Sequence, residues 1–481
     1  MQWQDKPMTD TDIEHGAAAV DLTASFQRLH QASRHDLVPD AEWRRSRLLR
    51  LENAIREHME TLVAAVSRDF GHRSAHETRL LELFPCLEAA RHARRHLRRW
   101  MRPQRRPVNP WLWPARARLV CQPLGVVGIV VPWNYPVYLA LAPLVGALAA
   151  GNRAMLKFSE YTPATAEALI RLLADAFEPD EVVAVGGDVT VARAFTALPW
   201  DHLLFTGSTV VGREVMKAAA ANLTPVTLEL GGKSPAIFAP DARWEVAVER
   251  CLMGKLFNAG QTCIAPDYVL LPAGHEARFI EIARQVVARR YPQMPAGADY
   301  SSIINDAQFQ RLQALLAEAR ERGARLSMFG AVDSGARRLP LTLVQGLPED
   351  CALLREEIFG PVLPLITYTS LDQAIDYVNA RPRPLALYYF GEARAGARRV
   401  IHETVSGGVA VNDALLQVAV EDLPFGGVGP SGMGEYHGRD GFETFSKKKS
   451  VLYQSRFSVS RWLYPPYGWW ADRLLKLMLR R

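Results

Sequence analysis

Apolar residues recur at helical spacing from Asp40 to Phe70 (Trp43, Leu48, Leu51, Ile55, Met59, Leu62, Val66) and predict a helix that Gly71 stops. A later helix carries Leu87, Leu97 and Trp100 on its apolar side and runs into a hairpin. Prolines 103, 107, 110 and 114 break the chain, and ARARLVCQ then alternates like one arm of an exposed β-hairpin. From Leu124 to Gly151 no residue is charged. That stretch is not a membrane span, because Pro132, Pro136 and Pro143 divide it and Asn134 sits inside it. GVVGIVVP reads as a strand buried on both faces, and LALAPLVGALAAG as a buried helix closed by Gly151. AMLKF follows as a strand, Thr162–Pro163 as an N-cap and first helical position, then a helix to Phe177. The strand VVAVGG, a helix near Val189–Leu198 and a strand at His202–Phe205 complete the series. Strands and helices alternating in this way predict an α/β fold with a parallel, doubly wound sheet.

The alternation resumes after Cys263 and continues to Phe390, predicting a second α/β domain. Leu423–Val451 is glycine-rich and without helical periodicity, and reads as a loop wrapping over a cleft or a neighbouring subunit. The last residues, RWLYPPYGWWADRLLKLMLRR, are aromatic and basic, and too short and too charged to span a bilayer. A helix packed on its own protein or on a partner is the favoured reading of them, with an interfacial amphipathic helix as the alternative.

A chain of 481 residues has room for two or three domains, and 48% apolar with 22% charged residues is ordinary for a soluble globular protein. The five cysteines are odd in number and never spaced CxxC, which argues against a disulfide framework or a zinc site and for a reducing compartment. MQWQDKPMTDTDIEH shows no signal-peptide pattern, so a cytoplasmic location is expected. Much of the net charge of +6 lies in the run Arg91–Arg106. It reads as the solvated face of a helix rather than a nucleic-acid patch, since no aromatic platform accompanies it.

Candidate chemistry centres on FNAGQTC, Phe257–Cys263, between a helix-like run (Val246 to Phe257) and a strand-like one (Asp267 to Leu271). A loop there can lift the cysteine sulfur out of the packing, and its neighbours are small or polar, unlike a core strand. Thiolate is the nucleophile, so a nearby base, cation or helix terminus is required. FTGSTVVG (Phe205–Gly212) is a strand, a turn with Gly207 and Ser208, and a helix with Gly212 in its first turn. Amides at a helix N-terminus suit phosphate, although a plain βα turn reads equally well. Lys157 and Glu160 end the preceding strand, where they could hold ribose hydroxyls or phosphate. Glu229 follows an apolar strand and precedes two glycines, so it can reach a cleft. No metal site is expected.

PWNYP, FTGST, LELGGKSP, FNAGQTC, EEIFGP and PFGGVGPSGMG occur in an order and spacing that resembles the aldehyde dehydrogenase superfamily over nearly the whole chain. SGMGEYHGRDGFETFS resembles its class 3 branch, and the YPPYG tail is similar to the bacterial coniferyl aldehyde dehydrogenases. The resemblance implies NAD(P)-dependent oxidation of an aldehyde to its acid through a cysteine thiohemiacetal and thioester. An aromatic aldehyde such as coniferaldehyde is expected, with a medium- or long-chain aliphatic aldehyde as the alternative. Cys263 matches the nucleophile, Asn134 the oxyanion residue and Glu229 the general base. Lys157 and Glu160 match ribose ligands of NAD (NADP possible), and Gly207, Ser208 and Gly212 the pyrophosphate turn. Glu357, Phe359 and Trp133 match residues around the nicotinamide end, and the glutamate of EEIFGP takes part in proton transfer in some class 3 relatives. The implied layout is a cofactor domain (1–103 and 123–230), a catalytic domain (231–404), bridging segments (104–122 and 405–452) that pair a homodimer, and a tail (453–481). A thiol hydrolase is the rival class. It would need His202, His275 or His437 beside the cysteine.

Overall fold

The computed structural model describes residues 21–479; the residues read above for a signal pattern lie outside them. Three sheets order the chain. The first runs Gly432–Met433, Val226–Glu229, His202–Thr206, Val126–Val130, Arg153–Lys157, Val182–Val185, and only the two-residue edge strand Gly432–Met433 is antiparallel. Val126–Val130 is buried at every position, as its unbroken apolar sequence requires. From this central strand the chain first builds toward Val182–Val185 and then returns to the other side with His202–Thr206. Strand order reverses there, so the crevice outside the carboxyl ends of these strands is where a doubly wound sheet receives its ligand.

The second sheet has seven strands, in the order Arg325–Met328, Thr342–Gln345, Val362–Tyr368, Tyr268–Pro272, Pro235–Phe238, Ala386–Phe390, Gly408–Val411. All but the edge strand Arg325–Met328 pair in parallel. The third sheet is antiparallel: Gln104–Arg106 pairs with Arg116–Pro123, which pairs along its length with Ser446–Tyr453. The helix Tyr138–Ala150 is buried throughout, which is why its sequence carries no charge, and Gly151 closes it at φ +90°.

Three sequence expectations need correction. The predicted helix between Asp40 and Phe70 is two helices, Ala41–Glu57 and Met59–Phe70, broken at His58, whose φ/ψ of −93°/5° leaves the helical region. The apolar stripe continues on both sides of the bend, so periodicity alone does not reveal it. Thr162 stands at the N-cap of Pro163–Ala176, but its side chain makes no capping bond. The carboxylate of Asp69 caps that helix instead, accepting from Ala164 N (3.0 Å) and Thr165 N (2.8 Å). Leu423–Val451 is not all loop: Gly438–Thr444 is a helix, and the strand Ser446–Tyr453 begins just after it.

The basic helix Phe84–Trp100 buries Leu87, Leu97 and Trp100. Three of its arginines face acids of the helix Ala41–Glu57, with Arg91 and Arg94 on Glu52 (2.9 and 3.2 Å) and Arg98 on Glu42 (2.5 Å).

Candidate active site

The loop that presents Cys263 leaves the helix Trp244–Leu256 through a left-handed run: Asn258 (φ 52°), Ala259 (φ 51°) and Gly260 (φ 76°). A Cβ on Gly260 would lie 2.4 Å from the carbonyl oxygen of Gly360, so only glycine fits. Non-glycine residues in this region cost free energy and persist where their surroundings fix them. Here the surroundings are the polar side chains of the motif itself. Asn258 Nδ2 donates to Asn134 O (2.9 Å) and Gln261 O (3.2 Å). Gln261 donates to Asn258 O (2.9 Å) and Ser302 O (3.1 Å), and accepts from Ile304 N (3.0 Å). The Thr262 hydroxyl meets that of Tyr135 at 2.7 Å.

Beneath the loop lie charged residues of the N-terminal segment that periodicity did not single out. Glu77, buried, accepts from Asn258 N (3.2 Å) and from Ser301 Oγ (2.7 Å). Arg73 and Glu82 form a buried ion pair (2.8 Å). Arg73 also donates to Asn134 O (3.2 Å), while Glu82 accepts from Val137 N (2.7 Å) and Tyr138 N (3.0 Å) at the start of the buried helix. Both faces of the PWNYP turn are thereby held. The sequence signal for these three was slight: acids and arginines at positions that turn inward only because partners far along the chain are waiting.

Asn134 is buried, and its amide donates to Gln261 O at 3.2 Å, two residues before the cysteine. Glu229 ends the strand Val226–Glu229, is buried, and has no hydrogen-bond partner on either carboxylate oxygen. Burial, and then Glu435, push its pKa well above the carboxylate range. Cys263 and Glu229 line one cavity, whose other walls are chiefly apolar and aromatic: Tyr135, Tyr138, Leu139, Leu415, Phe425 and Tyr436 among them. Burial raises the thiol pKa, Glu357 and Glu229 raise it further, and the backbone amides of Cys263 and Ile264 oppose them. Cys263 therefore rests as a thiol, with the unpaired carboxyl of Glu229 on the same cavity wall.

The remaining predicted residues gather at the carboxyl ends of the six-stranded sheet and on the facing domain. The turn after His202–Thr206 leads into the helix Thr209–Ala220, with Ser208 as its N-cap. A Cβ on Gly207 would meet the Phe205 ring at 2.5 Å, and one on Gly212 would meet Leu230 at 2.6 Å. Lys157 is buried at the end of its strand, donating to Phe158 O (2.6 Å) and Gly187 O (2.8 Å). Burial lowers its pKa, against Glu160 and Asp188. Glu160 is exposed. Across the cleft, Glu357 approaches so closely that a Cβ on Gly231 would lie 1.9 Å from its carboxylate. Burial first, then Asp267, push Glu357 up to about 8, and its Oε1 has no partner. Trp133 packs edge-on against Phe359 with centroids 5.3 Å apart. Thr209, Gly231, Gly232, Lys233 and Glu357 share a cavity of about 560 Å³.

These features fit a dinucleotide. A helix N-terminus with close-approach glycines suits its phosphates, and the part-buried Glu357 carboxyl with one free oxygen suits a ribose hydroxyl. None of the candidate histidines joins the cysteine. His202 bonds Thr227 (2.9 Å), His437 meets Tyr138 (3.0 Å), and His275 stacks on Trp244. Among the described residues no cluster suited to a metal ion is present, and no helix is long and apolar enough to cross a membrane.

Comparison with known proteins agrees with this chemistry. The model of the aldehyde dehydrogenase family matches residues 17–451. A probable coniferyl aldehyde dehydrogenase of Pseudomonas aeruginosa is 51% identical over 95% of this chain and 96% of its own length. Among solved structures, Staphylococcus aureus AldH in a substrate-bound state superposes with a TM-score of 0.91 at 36% identity, covering 95% of this chain and 99% of the other. A Mycobacterium tuberculosis aldehyde dehydrogenase complexed with NAD+ superposes at 0.81 with 27% identity, covering 92% of each chain.

Proposed function

Because the chain belongs to the aldehyde dehydrogenase family, we propose that Cys263 is the nucleophile, Asn134 the oxyanion residue and Glu229 the base with which it oxidises an aldehyde to the acid. The observation that carries this reading is the shared cavity wall of Cys263 and an unpaired, buried Glu229. The thiolate attacks the aldehyde carbon, and the alkoxide that forms is stabilised by the Cys263 amide and by the Asn134 N–H not engaged with Gln261. The nicotinamide cofactor, NAD or NADP, serves as hydride acceptor when bound. Loss of hydride from the thiohemiacetal leaves a thioester on Cys263. Glu229, once deprotonated, takes a proton from the water that hydrolyses it. Lys157, Glu160, Gly207, Ser208, Gly212, Glu357, Phe359 and Trp133 hold the dinucleotide.

Coniferaldehyde or a similar aromatic propenal is the proposed substrate. The 51% identity to a probable coniferyl aldehyde dehydrogenase supports it, as do the three tyrosines and the phenylalanine on the cavity wall. Flat rings gain both buried area and ring contacts in such a site. We expect coniferaldehyde to exceed short aliphatic aldehydes by about tenfold or more in kcat/KM, a difference on the scale of a few methylene contacts. If medium-chain aliphatic aldehydes win by that margin in a nicotinamide-absorbance assay, the aliphatic alternative replaces it.

NAD is the preferred cofactor in this proposal. The Glu160 carboxylate, exposed just beyond the strand end, accepts from a ribose 2′-hydroxyl and repels a 2′-phosphate. We expect about a tenfold preference for NAD in kcat/KM, which corresponds to ~1.4 kcal/mol, and Glu160→Gln should narrow it. A clear preference for NADP in the parent would mean that Glu160 points elsewhere. We further propose a cytoplasmic homodimer paired through segments 104–122 and 405–452, a state that light scattering reads directly.

A further inference from the structure

Five hydroxyls and one carboxyl line the catalytic cavity: those of Tyr135, Tyr138, Thr206, Thr262, Tyr436 and Glu229. Three of the hydroxyls already have partners, Tyr135 with Thr262 (2.7 Å) and Tyr138 with His437 (3.0 Å). The other groups do not. Thr206 Oγ1, the Tyr436 hydroxyl and both oxygens of Glu229 are buried without a hydrogen-bond partner. Buried polar groups are as a rule paired, because a hydrogen bond left unmade costs stability. Three unmet side chains around one cavity therefore point to a small polar guest that they share.

Both hydroxyls are set in place by the fold. Thr206 and Glu229 end neighbouring parallel strands and stand opposite each other in register, so their side chains leave the sheet about 5 Å apart. Tyr436 is 1% exposed and pairs through its backbone with Phe425 in both directions (3.0 and 2.8 Å). The next residue, His437, takes φ 131° and ψ 146°, a region nearly reserved for glycine. Stacking on Phe425 (centroids 5.3 Å apart) and the bond to Tyr138 hold it there. Strain of this kind persists only where the surroundings fix it, and here it fixes how Tyr436 enters the cavity wall. Burial, and then Tyr138, Glu229, Cys263 and Glu421, push the phenol pKa well above its ordinary value, so Tyr436 keeps its proton as a donor.

We propose that Tyr436 and Thr206 are positioning residues for hydrolysis of the thioester, holding the water that Glu229 deprotonates. This rests on the roles given to Cys263 and Glu229 above. A water molecule offers two donors and two acceptors. One donor goes to a Glu229 oxygen and the other to Thr206 Oγ1, whose own proton reaches the second Glu229 oxygen. Tyr436 donates to one lone pair, and the remaining lone pair faces the thioester carbon. The C–O bond then forms and the C–S bond breaks, while the water proton passes to Glu229 and on to the departing sulfur. Every unmet group is satisfied in this arrangement. The aldehyde is not the shared guest, since its oxygen is met by Asn134 and the Cys263 amide and an aromatic propenal has no other polar atom near the reacting carbon.

Rapid-quench single turnovers of the full chain with cinnamaldehyde and NAD test the proposal. Reduced cofactor reports acylation, and mass spectrometry follows loss of the acyl group from Cys263. Tyr436→Phe and Thr206→Val should each slow that loss about tenfold or more, while acylation stays within about twofold of the parent. Thr206→Ser keeps the hydroxyl and should restore the parent rate of loss. The proposal is overturned if either variant loses the acyl group at the parent rate, or if Thr206→Ser does no better than Thr206→Val. It is likewise overturned if acylation slows as much as hydrolysis, the mark of a packing role, or if Thr206→Val only raises KM for NAD, which assigns that hydroxyl to the cofactor. Glu229→Gln separates this from the reading beneath it. No acyl-enzyme in that variant removes Glu229 from its role, whereas accumulation there with unchanged hydrolysis in Tyr436→Phe removes only the water site.

Discussion

Cys263→Ala should abolish dehydrogenase activity, lowering kcat by about 10³-fold or more, while the protein still folds and binds the dinucleotide. The size of the loss follows from chemistry: without a sulfur adduct on the aldehyde carbon no tetrahedral alkoxide forms, and hydride has nothing to leave from. The tolerance follows from structure. Cys263 is only part-buried and faces a cavity, and the hydrogen bonds that fix its loop belong to Asn258, Gln261 and Thr262 rather than to the thiol. Truncating such a side chain costs on the order of 1 kcal/mol. Thermal unfolding within a few degrees of the parent, and unaltered quenching of protein fluorescence by NAD, would separate lost chemistry from lost structure. Turnover above a few per cent of the parent would remove Cys263 from its proposed role.

The same loop shows how far a sequence can be read. Its small and polar residues marked it as something other than a core strand, and the structure shows what they do: they hold three left-handed residues in place. The parallel strands were legible for a related reason, since a strand buried on both faces has little choice but to be continuously apolar, as Val126–Val130 is. Glu77, Arg73 and Glu82 were not legible. Glu77 finds Ser301 across 224 positions and Arg73 finds Asn134 across 61, and no local pattern encodes such partners. In the sequence they look like any solvated charges. The helix Gly438–Thr444 was hidden by its glycines, which composition assigns to loops. They are there for space and conformation: Gly438 has φ +43° and a Cβ on it would lie 2.1 Å from Glu421 O, while Phe442 is buried. The aromatic and basic character of the tail was visible as composition, but only the fold brings Val459–Leu463 beside Pro110–Leu112 of the hairpin.

Glu229→Gln should separate the two halves of the reaction. Attack by sulfur and departure of hydride need the oxyanion donors, whereas breaking the thioester needs a water that gives up a proton. The variant keeps the size of the side chain and loses the acceptor. A rapid burst of reduced cofactor, close to one per active site, should therefore precede a steady state slower by about 10²- to 10⁴-fold, the usual worth of a general base. Mass spectrometry should find the acyl group on Cys263. The pH dependence follows from the environment of the carboxyl. Burial raises its pKa far above the ordinary carboxylate value, so it is protonated and idle at low pH and gains its basic form only as pH rises; parent kcat should climb toward alkaline pH with it. In Glu229→Gln that limb disappears from the steady state. The burst keeps its own alkaline limb, because the Cys263 thiol is raised too. Glu357, raised to about 8 and with Oε1 unpartnered, is the other candidate carboxyl at the site, and it defines the opposite result. If Glu229→Gln turns over at the parent rate with no burst and no trapped acyl-enzyme, the water is activated by Glu357, and Glu357→Gln should then show the accumulation instead.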